Sequence, residues 1–105
     1  MMHLTVIQMF NQTGSGEIIL LSGRSELYAP QTVEWLEKHD IPFSYLYMRK
    51  VGDNRKDSII KRELFEEFVE NKFYVEFVLD DRDQVVDLWR KDLNLPCFQV
   101  YYGDF

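Results

Sequence analysis

The stretch from Tyr74 to Leu79 is largely apolar and stops abruptly at two adjacent carboxylates, Asp80 and Asp81. A helical pattern follows, with Val85, Val86 and Trp89 on one face. A short apolar run bounded in this way reads as a buried strand, and the following spacing as an amphipathic helix. Two neighbouring acids where a buried strand ends repel each other, and one of them ordinarily takes up a proton. A divalent cation removes that cost, and hard oxygen ligands of this kind suit Mg²⁺. In parallel α/β sheets, ligands sit just beyond the carboxyl ends of the strands. The strand, the acid pair and the helix together read as one wall of a metal and phosphate site. The competing reading makes Asp80 and Asp81 caps of the following helix, whose N-terminus favours acids.

The rest of the chain alternates in the same style. Residues 1 to 11 fit two patterns. Met2, Val6, Met9 and Phe10 share a helical face, while Leu4-Thr5-Val6-Ile7 is β-rich. Thr13-Gly14-Ser15-Gly16 is a turn. Ile18 to Leu21 is a strand apolar on both faces, ending in Ser22-Gly23-Arg24. A helix is predicted over 30–39, with Pro30 in its first turn and Val33 and Leu36 inward. An aromatic strand over 43–48 and a charged loop through Gly52 follow. Asp57 or Ser58 is expected to cap a helix over 58–70, with Ile60, Leu64, Phe65 and Phe68 inward. Then come a strand at 73–79, a helix at 83–92 and a short strand at 97–101. Such alternation predicts a three-layer α/β sandwich with a mostly parallel sheet. Right-handed crossovers place Ser22 and the acid pair on one rim.

Composition narrows the function. The chain has 105 residues, 46% hydrophobic, enough for one core and one domain, with 1–16 as a divergent N-terminal segment and 17–105 as the core. A net charge of −6 argues against strong nonspecific binding to nucleic acid. Cys97 is the single cysteine, so neither an internal disulfide nor a cysteine-based zinc site is expected. No signal peptide, membrane-spanning run or lipidation signal stands out, which makes a cytoplasmic protein with no membrane partner the expectation.

The rim residues suggest phosphoryl chemistry. Ser22 supplies a hydroxyl, and Gly23 permits close backbone approach to a ligand. Lys61, in the first turn of the 58–70 helix, reaches over the rim. Hydroxyl, ammonium and a carboxylate-held cation are the parts that neutralise a transferring phosphoryl group. Ser22-Gly23-Arg24, Gly52-Asp53-Asn54-Arg55-Lys56-Asp57, Lys61, Asp80-Asp81-Arg82-Asp83-Gln84-Val85-Val86, Trp89-Arg90 and Gln99-Val100 with Gly103-Asp104-Phe105 resemble the 3′-phosphatase domain of bacteriophage polynucleotide kinases, within the haloacid dehalogenase (HAD) superfamily. The resemblance runs from about residue 17 to the end. It implies a HAD-like Rossmannoid fold, in a bacterial or phage-infected cell. It also implies phosphate binding by Ser22, Gly23, Arg24 and Lys61, Mg²⁺ at Asp80 and Asp81, and catalytic roles for Lys61 and Asp81. Arg55 and Lys56 become candidates for contact with a nucleic acid backbone near its 3′-phosphate end.

One departure matters. The resemblance implies an aspartate nucleophile in an Asp-x-Asp motif on a strand upstream of Ser22. Here no aspartate precedes Asp40, and Glu17 is the only acid before Ser22. Residues 1 to 11 align instead with the helix after that motif. The implied sheet is truncated at its nucleophile strand, which would lie between the Ser22 and Asp80 strands. Unpaired backbone in mid-sheet is costly. Residues 2 to 10 can fill the gap as a strand, closing a hairpin with 17–21 through the turn at 13–16. A second copy can donate the N-terminal segment as a homodimer, or a partner protein can insert a strand. Three functions follow: a phosphatase-type domain inactive alone and binding Mg²⁺ weakly, a half-enzyme completed by a strand-donating partner, or a non-catalytic binding or regulatory module.

Overall fold

Asn11 starts the fold by organising a hairpin. Its side-chain oxygen accepts from the amides of Thr13 and Ser15, both at 3.0 Å. Gly14 completes the turn with a φ of 85°, which glycine adopts without steric cost. The computed structural model describes residues 4–103. Met2, Asp104 and Phe105, named above for their sequence, lie outside them.

The hairpin joins β1 (Leu4–Phe10) to β2 (Gly16–Ser25). After it come α1 (Ala29–Lys38), β3 (Tyr45–Arg49), α2 (Asp57–Phe68), β4 (Tyr74–Asp80), α3 (Asp83–Asp87) and β5 (Cys97–Gln99). A 3₁₀ turn, Glu26–Tyr28, leads into α1, and a π-helical turn, Leu88–Asp92, extends α3. Each predicted element from Ile18 onward is present within a few residues of its expected bounds.

The strands form one sheet in the order β3-β2-β1-β4-β5. β2 and β3 are parallel, as are β4 and β5. β1 is antiparallel to both β2 and β4. Four strands therefore run one way, and the central one is reversed. The sheet is mostly parallel, as expected, and antiparallel at its centre, where residues 4–10 take the hairpin route offered above. Residues 4–10 are strand and not helix. The reason is backbone pairing: the slot between β2 and β4 satisfies β1 on both edges, and Thr5, Ile7 and Met9 alternate into the core. The fit to β4 is imperfect. Gln8 pairs Phe77 and Met9 pairs Val75, so Glu76 is left over as a bulge.

Crossover direction sets the layers. β2-α1-β3 steps outward to the edge, whereas β3-α2-β4 and β4-α3-β5 step the other way. Right-handed connections then put α1 on one face and α2 with α3 on the other. Ile7, Met9, Ile19, Leu21, Val78 and Trp89 pack with Leu64, Phe65 and Val86 beneath α2 and α3. Leu20 and Leu36, fully buried, lie outside that cluster, under α1. The three-layer sandwich is present. All four parallel strands, and the reversed start of β1, end at one rim. Among the described residues no helix is long and apolar enough to cross a membrane.

Candidate functional site

The rim is built where β2 loses its regular pairing. Ser22 pairs Met48, but the next paired residue is Ser25, opposite Arg49. Gly23 and Arg24 bulge out of the ladder. A Cβ on Gly23 would lie 2.0 Å from Asp57 Oδ1, so only glycine fits beside that carboxylate. The exposed carbonyl of Gly23 accepts from Arg49 Nε at 2.6 Å. Arg49 also donates to the carbonyls of Asp53 and Arg55, at 3.0 and 2.5 Å, which pins the loop between β3 and α2.

Asp57 is the hub of the site. It lies in the first turn of α2, where the helix dipole favours an acid. Three cations surround it: Lys61 Nζ at 3.4 Å, Arg82 Nη1 at 3.5 Å and Arg49 Nη2 at 3.6 Å. Lys61 is fully buried. Among the described residues, neither its Nζ nor Asp57 Oδ1 has a hydrogen-bond partner. One buried carboxylate is shared among three cations. An ammonium with unused donors in that setting favours a further anion.

The sequence candidates divide around this hub. Gly23 and Lys61 belong to it. Ser22 is buried just behind, and its Oγ accepts from the Arg24 amide at 3.1 Å. Arg24 turns away toward α1. Its guanidinium lies 4.9 Å from the Tyr28 ring centre and donates to Thr32 Oγ1 at 3.4 Å. Arg55 bridges Asp53 and Glu63, so carboxylates of its own chain answer its charge. That bonding holds the Asp53 carboxyl down at about 2 and lowers Glu63 as well. Lys56 is exposed and precedes α2 as its N-cap residue; Asp57 makes no capping bond, because its carboxylate serves the cations. Arg82 links the hub to its chain neighbours Asp80 and Asp81, so Ser22, Lys61 and the acid pair share one rim.

Asp80 behaves differently from a free metal ligand. It is buried at 1% exposure. Its Oδ2 accepts from the Thr5 hydroxyl and from Trp89 Nε1 at 2.9 Å. Its Oδ1 accepts from the Asp81 amide at 2.8 Å. Trp89 lies in the π-helical turn. A helix-capping role for Asp80 is thereby replaced by an inward one. Among the described residues no three His, Cys, Asp or Glu side chains cluster as a metal set. Mg²⁺ needs near-ideal octahedral oxygen and keeps several waters. Asp80, as bonded here, does not fit it.

Sequence reasoning did not single out Arg49, Arg82 and Asp57 as one cluster, nor Thr5 as the partner of Asp80. Asp57 stood out only as a cap, and Arg49 as the start of a charged loop. The alternation of Thr5, Ile7 and Met9 was the available signal for Thr5.

Comparison with known proteins gives the family. The family model for the polynucleotide kinase PNKP phosphatase domain matches residues 1–105, so the likeness extends over the N-terminal segment too. A protein of Autographa californica nuclear polyhedrosis virus, described as a bifunctional polynucleotide kinase/RNA ligase, is 40% identical over 80 residues, covering 75% of this chain and 11% of that protein. Two solved structures of the Pnkp1/Rnl/Hen1 complex, one described as an RNA repair complex, contain a similar chain. In each it is 57% identical, with a TM-score of 0.80 over 83% of this chain. The match spans 28% of one of those chains and 30% of the other. This chain thus covers only a minor part of its relatives' length, and it belongs to the polynucleotide kinase phosphatase domain family.

Proposed function

We propose that this domain binds the 3′-phosphate ends of polynucleotides and does not hydrolyse them unaided. The observation that carries the reading is the ring of Arg49, Lys61 and Arg82 around the buried carboxylate of Asp57. Such a ring accepts a phosphoryl group through charge-assisted hydrogen bonds. Ser22 and the bulged backbone at Gly23 lie at its edge. Relatives described as a polynucleotide kinase/RNA ligase and as part of an RNA repair complex make an RNA end the favoured substrate class.

The lack of turnover follows from what adjoins Asp80. The central strand of this chain presents the Thr5 hydroxyl there. A threonine hydroxyl committed to a carboxylate is no covalent nucleophile, so this strand by itself offers no aspartyl-phosphate route. Lys61 and Asp81 then bind and orient without a reaction to serve. Completion by a strand-donating protein partner, in the cytoplasm of a bacterial or infected cell, belongs to the same proposal, and Mg²⁺ binding at Asp80 and Asp81 is conditional on release of Asp80.

Fluorescence anisotropy in EDTA tests the binding. Labelled RNA ending in a 3′-phosphate is expected to bind at least about tenfold tighter than the same RNA ending in a 3′-hydroxyl, a difference of about 1.4 kcal/mol. Lys61→Met is expected to erase the difference. Equal binding of both ends would overturn the reading. Brisk release of inorganic phosphate by the pure chain, lost in Asp81→Asn, would overturn the absence of turnover.

A further inference from the structure

The interior of the sheet holds a carboxylate, a hydroxyl and an indole that the binding reading leaves unused. Thr5, Asp80 and Trp89 are at most 1% exposed and meet at one oxygen, Asp80 Oδ2. With the Asp81 amide on Oδ1, three of the roughly four lone-pair sites of this carboxylate are taken by protein donors. Two of those donors, Trp89 and the Asp81 amide, come from the same part of the chain as Asp80. The third comes from β1, the strand that runs against its neighbours and leaves Glu76 unpaired.

We propose that Thr5 keeps this domain in a state that refuses a divalent cation, and that Asp80 takes one only when the Thr5 hydroxyl withdraws. The strand carrying Thr5 is paired with β2 from Leu4 to Phe10 but with β4 only from Val6 onward, so Thr5 is held on one edge. Its pairing with β4 is interrupted between Gln8 and Met9. Its sequence satisfies a helical face, Met2, Val6, Met9 and Phe10, as well as the alternation it uses here. Asp80 gains an open coordination position when Thr5 leaves, with Asp81 beside it as a second hard oxygen ligand. The inference rests on the reading of this rim as the phosphate site, but its test needs no phosphate.

Electron paramagnetic resonance of Mn²⁺ titrated into the full chain reads the state of Asp80. The wild-type chain and Thr5→Ser, which keeps the hydroxyl, are expected to show no Mn²⁺ binding that Asp80→Asn removes. Thr5→Val, of the same shape without the donor, is expected to bind Mn²⁺ at least about tenfold tighter than wild type, and Asp80→Asn in that background is expected to abolish the gain. Wild-type binding lost in Asp80→Asn would overturn the proposal, and so would a Thr5→Val chain that binds no tighter than wild type. Thr5→Ala, which also opens room for the cation's waters, replaces Thr5→Val if the latter does not fold. In the unmodified protein, hydrogen exchange at Thr5 to Ile7 under increasing urea gives a second reading. Mn²⁺ binding is expected to appear together with loss of protection there. Binding while β1 stays protected would end the idea, whereas loss of RNA-end discrimination in EDTA would leave it standing.

Discussion

At the scale of the residue, the site turns on charge balance. Asp57 offsets three cations while nearly buried. Removing one member of a buried charge cluster typically costs about 3–5 kcal/mol, because the others are left uncompensated. Asp57→Asn is expected to lose stability on that scale in urea unfolding. An added anion at about a hundred times its Kd should return about 2.7 kcal/mol of it; failure of phosphate or sulfate to stabilise this variant would count against the anion site. Cys97 gives a separate pH signature. Burial, with the negative charge of Asp80 behind it, pushes its thiol up to about 11, and Arg90 opposes the rise. A raised thiol favours the folded state while the thiol stays neutral. Its contribution is whole below about pH 9 and is lost as pH rises through about 11. Unfolding free energies at about pH 8 and pH 10.5 should fall along this slope, and Cys97→Ala should flatten it. None of this charge cluster was readable as a unit from sequence. Gly23, Arg49 and Asp57 meet only because a bulge in β2, the end of β3 and the start of α2 reach one rim.

At the scale of the element, periodicity carried most of the information. β2 to β5 and α1 to α3 were readable because their apolar spacing permits one period each. The first strand was not, since residues 2–10 satisfy both a helical face and an alternating one. Tertiary pairing decided between them. The π-helical turn was likewise hidden: its span was expected to be helical, but nothing in Leu88 to Asp92 announces the wider winding. That turn contains Trp89, whose indole donates to Asp80. Trp89→Phe keeps the aromatic packing against Phe65, whose ring centre is 5.5 Å away, and removes the donor. Hydrogen bonds to charged groups are worth about 1.5–3 kcal/mol, and a loss of that size is expected in thermal unfolding. A change near zero would show that the indole only fills space.

At the scale of the whole molecule, the reversed strand decides how the chain holds together. Both edges of β1 are paired within its own chain, so a homodimer through the N-terminal segment requires β1 to be exchanged between copies. Light scattering over a concentration series should show a monomer at micromolar protein, with dimer appearing only after refolding at high concentration. Dimer formed on simple mixing at low concentration would contradict that route. The sheet also has a seam. Within it, β3, β2 and β1 form one group and β4 and β5 another, and among the described residues their strands pair with each other where Val6–Phe10 meets Tyr74–Leu79. The hairpin side closes locally and fast, but the seam joins parts of the chain far apart in sequence, so loop-closure entropy makes it a late contact. A pull applied across the strands should therefore part the molecule at the seam first, like a page torn along a perforation, with the two halves of the sheet still intact.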